Sequence, residues 1–73
     1  MKGMCYFFFR GYYFVDAASE LLTENGIPNR IVKAPVRISN GCSFAVMTRS
    51  IDAEESSRMI RKSGIEIEQT IIL

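Results

Sequence analysis

At 73 residues the chain is expected to form one small domain over 1–73, without the core to build a deep substrate pocket, because a domain this size buries only roughly 60% of its unfolded surface. An apolar fraction of 48% excludes a disordered segment, and a formal charge of +1 argues against nucleic-acid binding driven by phosphate contacts. Histidine is absent, which excludes Ser-His-Asp and Cys-His catalysis and any zinc site that needs imidazole.

Met4-Cys5-Tyr6-Phe7-Phe8-Phe9 is a continuous apolar run rich in strand formers, and it reads as a central strand ended by Arg10-Gly11. It is far too short to span a bilayer. A helix is expected from Tyr12 to Asn25. Phe14, Ala17, Ala18, Leu21 and Leu22 share one face, and Asp16, Glu20 and Glu24 lie on the solvated side. Gly26 follows as a helix-ending residue. Ile27 to Ala34, bounded by Pro28 and Pro35 and interrupted by Arg30 and Lys33, suits an edge strand.

Residues 35–43 carry Pro35, Ser39, Asn40, Gly41 and Ser43 and read as a loop. Phe44 to Met47 is a short third strand. A second helix starts at Asp52, placed to cap it, with Glu55 three residues on. Its apolar stripe is thin, Ala53, Met59 and Ile60, and Arg58, Arg61 and Lys62 lead to Gly64. From Ile65 to Leu73 apolar and polar residues alternate as in a strand.

The order β-α-β-β-α-β predicts an α+β, ferredoxin-like fold, a four-stranded antiparallel sheet with both helices on one face. The other face then has no helices. Because the first strand is apolar throughout, Tyr6 or Phe8 should be exposed there, which points to a homodimer through the open sheet face.

The N-terminal residues carry Lys2 but no long apolar stretch, so no signal peptide is read. Cys5 and Cys42 are expected to be reduced thiols in the cytoplasm. Two cysteines so far apart do not make a zinc or iron–sulfur site within one chain, and no cofactor is expected. Cys5 reads as a core residue. Cys42 lies in the loop, and residues 26–51 hold Arg30, Lys33, Arg37 and Arg49 with no Asp or Glu. Nearby cations favour thiolate over thiol. The topology sets the start of the third strand beside the end of the first, near the positive end of the first helix. It also sets Cys5 and Cys42 roughly 13 Å apart along the strand, beyond the about 7 Å of a disulfide.

Three segments together resemble a known family. They are Leu21-Leu22-Thr23-Glu24-Asn25-Gly26-Ile27-Pro28, then Pro35-Val36-Arg37-Ile38-Ser39-Asn40-Gly41-Cys42-Ser43-Phe44-Ala45, then Lys62-Ser63-Gly64-Ile65. The chain is similar, over nearly its whole length, to small bacterial domains described as selenium/sulfur carrier-like proteins. The resemblance implies a thiol carrier whose loop cysteine, here Cys42, holds sulfur or selenium between donor and acceptor proteins. It places Ser39 in the loop, with Pro35 and Ile38 before it. Arg37, Ser39, Asn40, Gly41 and Ser43 are the expected binding residues around that thiol. The family's residue after the cysteine is Gly, where this chain has Ser43.

The sequence leaves the enzyme question open and favours a carrier or binding protein over a stand-alone enzyme. The rival reading is a regulatory or scaffold module that associates through its open sheet face, with Cys42 incidental. A single-stranded RNA binder stacking bases on Tyr6 and Phe8 fits less well, because the Gly-aromatic signature expected on the third strand is missing from Phe44-Ala45-Val46-Met47. A metal carrier would need paired Cys-x-x-Cys ligands that the chain lacks.

Overall fold

The computed structural model describes residues 3–34 and 43–73. The elements run β1 (Met4–Phe8), α1 (Tyr12–Glu24), β2 (Asn29–Lys33), β3 (Phe44–Arg49), a 3₁₀ turn (Ser50–Asp52), α2 (Ala53–Lys62) and β4 (Gln69–Ile72). They form one sheet of order β2-β3-β1-β4 with every neighbouring pair antiparallel, so the fold is α+β and ferredoxin-like. The apolar run occupies β1 at the centre. The strand rich in charge and flanked by Pro28 is β2, at one edge.

Side chains alternate across the strands. Cys5, Phe7 and Phe9 therefore share one face, where they join Val46, Val15, Ala18 and Leu22 of α1, Ile27, and Ile60 of α2 in one core. Two features, one tertiary and one local, hold α1 in place. Its inner face packs on this core, and its end is fixed by Gly26 at φ 76°, with the Ile27 N–H donating to the Leu22 carbonyl at 2.9 Å. That left-handed turn favours Gly.

The inner face of α1 differs in phase from the pattern read in the sequence. Val15, Ala18 and Leu22 are buried, while Phe14 stays 36% exposed and meets the Tyr13 ring edge-on at 5.2 Å. Phe7 and Phe9 already fill the space between helix and sheet from the sheet side, so the helix presents its smaller Val15 there.

Other boundaries also shift. β3 runs on to Arg49, and β2 is confined to Asn29–Lys33. Only Gln69–Ile72 of the last alternating segment joins the sheet. Before it, Ile65 and Ile67 pack on the core from outside the ladder, and the Glu68 N–H donates to the Phe8 carbonyl at 2.8 Å. The Asp52 side chain does not cap α2. It accepts from Arg49 Nε at 2.9 Å, because a guanidinium three residues back offers a charge-assisted bond. The dipole pattern of α2 stands, with Glu54 and Glu55 in the first turn and Arg61 and Lys62 in the last.

On the helix-free face Tyr6 is half-buried beside Met47 and Ile71. Phe8 is not exposed there as expected. It is fully buried, lying in the central strand between Ala45 on one side and Gln69 on the other.

Candidate functional site

The end of the sheet where β1 stops gathers four chain segments. β1 leaves through Arg10 and Gly11 into α1, and β3 begins at Phe44, whose pair on β2 is Lys33. One residue beyond, the Ala34 N–H donates to the Ser43 carbonyl at 2.7 Å. That bond ties the end of β2 to the start of β3.

Gly11 enters α1 in an extended conformation, and its carbonyl accepts from the N–H groups of Phe14 and Val15 at 3.1 and 3.3 Å. Gly11, at the N-cap, has no side chain with which to cap this helix start, and no acidic residue lies in its first turn. The positive end of the α1 dipole is thus not neutralised by a carboxylate of its own helix. Tyr12 turns back from this turn to meet the Phe44 ring edge-on, centroids 5.6 Å apart, a geometry aromatic pairs favour. Tyr13 stands beside it, 77% exposed. The result is an aromatic surface at the same end as Ser43.

Arg10 closes the opposite flank. Its guanidinium reaches Glu66 at 3.5 Å and Glu68 at 3.8 Å, and both side chains of the first pair are well exposed. In the sequence Arg10 reads only as the end of the first strand. The alternation that places Glu66 and Glu68 two residues apart was the signal for this clamp. Arg49, counted among the basic residues of the region, is paired with Asp52 at the far end of β3. Lys33 and Arg30 of β2 are exposed and enter no ion pair among the described residues.

Of the six predicted site residues, Arg37, Ser39, Asn40, Gly41 and Cys42 lie outside the described residues. Ser43 is exposed at the start of β3. It does not take a positive φ, since no described residue other than glycine does. Ser43, where the resemblance leads one to expect glycine, therefore carries no left-handed strain.

Cys5 is at the other end. It is fully buried opposite Thr48, five residues along β3 from Ser43, or roughly 17 Å of strand. Burial pushes its thiol pKa up, and a hydrogen bond with Thr48 offsets this in part. It is a free, protonated core thiol rather than a nucleophile. No helix among the described residues is long and apolar enough to cross a membrane.

No curated protein and no solved structure matches the chain. Over residues 4–72 it matches the family model described as "Putative Se/S carrier protein-like", and the chain belongs to that family.

Proposed function

We propose that the domain carries sulfur or selenium on the thiolate of Cys42 and passes it to a partner protein. In loading, the thiolate attacks the terminal atom of a donor protein's persulfide or selenopersulfide. The donor's S–S or S–Se bond breaks, the corresponding bond forms on Cys42, and the donor leaves as a thiolate. In delivery an acceptor thiolate attacks the same terminal atom, and Cys42 leaves in turn. Both steps are thiol–disulfide-type exchange, with no net oxidation and no cofactor.

Membership of the carrier family over residues 4–72 carries this reading. Two physical features support it. Ser43, the chain neighbour of Cys42, lies at the sheet end where the start of α1, with Gly11 at its N-cap, and Lys33, which enters no ion pair among the described residues, supply positive potential, which favours an anionic sulfur or selenium. The second cysteine is buried away from this end with a raised pKa, so it does not compete. Arg37, Ser39, Asn40, Gly41 and Ser43 would surround the loaded atom, and the chemistry needs the reducing conditions of the cytoplasm.

The test is loading from a persulfide or selenopersulfide donor, read by intact mass. Wild type and Cys5→Ser should each gain one sulfur or selenium atom, and Cys42→Ser should gain none. Full loading of Cys42→Ser would refute the assignment.

A further inference from the structure

The two edges of the sheet are built differently. β2, at one edge, carries Arg30 and Lys33, both exposed, with Pro28 just before it. Charge and proline are the ordinary means of keeping an edge strand from pairing with another chain. β4, at the other edge, reads Gln69-Thr70-Ile71-Ile72 and has neither. Ile72 is 59% exposed and Leu73 beyond it 60%.

The hydrogen bonds show which backbone groups of β4 are free. Met4 and Leu73 exchange both of their backbone bonds, each 3.0 Å long. In an antiparallel pair such exchange recurs at every second residue. Ile71, opposite Tyr6, therefore also faces β1. Thr70 and Ile72 direct their N–H and C=O groups to the outer edge, where no described residue pairs with them.

We propose that this edge is a self-association surface, on which a second copy of the chain adds its own β4 antiparallel about a two-fold axis at Ile71. In that register Thr70 of one copy lies opposite Ile72 of the other, and both residues are of the outward-bonding type. The two reciprocal pairs then form four backbone hydrogen bonds. Ile71 faces its own symmetry mate across the axis, and the exposed Ile72 gains a β-branched neighbour, the kind of cross-strand pair that stabilises sheets.

The charges favour a second copy as the occupant. A two-fold interface brings each residue near its own mate. Through β2 it would crowd two arginines and two lysines into one strip with no acid in the strand, whereas through β4 it brings no charge together. β4 also offers no charged group by which to select a foreign strand. The product is one eight-stranded sheet, with the Ser43 end of each copy left uncovered. This pairing is independent of the carrier reading.

Sedimentation over a concentration series tests it. The mass should rise from 8.3 kDa towards twice that value. In parallel, the Thr70 and Ile72 amides of the wild-type protein should gain protection from hydrogen exchange as concentration rises. Thr70→Pro removes a donor that the fold does not use, and Thr70→Lys sets a charge on the edge. Each should weaken association at least roughly tenfold. A chain that stays monomeric throughout overturns the proposal and leaves the edge to a strand of another protein. So does association unaffected by both Thr70 variants but abolished by Met47→Glu, which would assign it to the helix-free face. If the variants do not fold, concentration-independent exchange at Thr70 and Ile72 in the wild type overturns it equally.

Discussion

Ser56 is the polar residue most at odds with its surroundings. It faces inward from α2 one turn before Ile60, is fully buried, and its hydroxyl has no hydrogen-bond partner among the described residues. A buried hydroxyl without a partner costs about 1–3 kcal/mol, and alanine is the better residue in a helix interior by about 0.5 kcal/mol. Against this, the lost oxygen leaves a small void and removes a few dispersion contacts, worth a few tenths of a kcal/mol. Ser56→Ala should therefore stabilise the protein by about 1–3 kcal/mol. For a domain this size that raises Tm by roughly 4–8 °C per kcal/mol. Urea unfolding followed by circular dichroism checks it, with a higher midpoint and an unchanged slope. Ser57→Ala is the control, because the Ser57 hydroxyl is half-exposed and accepts from Arg61, so its loss should change stability far less. A loss of about 1 kcal/mol or more in Ser56→Ala would refute the reasoning and show that the hydroxyl is bonded, for instance to a buried water.

Two further outcomes follow from the same core and sheet. At Gly3 an added Cβ would collide with the Leu73 carbonyl oxygen, a backbone atom already bonded to the Met4 N–H, while the Gly3 carbonyl accepts from Ser50 at 3.2 Å. Gly3→Ala should cost about 1–3 kcal/mol, the loss of one or two such bonds, and amide exchange at Met4 and Leu73 should rise; a neutral substitution would show that the strand end yields freely. Cys5 gives a pH dependence. Its folded pKa lies above the unfolded value of about 8.5, so its contribution is fully present below that pH and is lost as pH rises towards the folded value. Wild type should lose stability relative to Cys5→Ala between neutral and strongly alkaline pH, by at most about 1.4 kcal/mol per pH unit, and parallel curves would contradict a buried thiol.

Much of this was legible in the residues because local patterns and burial agreed. The unbroken apolar run could only be a central strand, and β1 lies between β3 and β4. Pro28, Arg30 and Lys33 marked an edge, and β2 is one. The order of elements predicted the antiparallel sheet, and the three segments ending at Pro28, Ala45 and Ile65 pointed to the carrier family that the chain belongs to. The cysteine itself and four of its expected neighbours fall within residues 35–42, so of that group only Ser43 is open to structural description.

The sequence by itself determined which segments become strands and helices and which cysteine is core, since hydrophobic period and residue type act over a few residues. Tertiary structure decided what depends on a neighbour. Phe14 and Val15 each begin a stripe with helical spacing, and it is Val15 that joins Phe7 and Phe9 in the core. Asp52 could cap α2 or bind Arg49, and the nearer guanidinium took it. The alternation from Ile65 to Leu73 is continuous in sequence, yet the strand β4 is only Gln69–Ile72, and Ile65 and Ile67 pack on the core from outside the ladder. Whether an uncharged strand is safely central or an open edge is fixed by the order β2-β3-β1-β4, because hydrogen-bond partners across a sheet are chosen by the packing of the whole chain and not by any one strand.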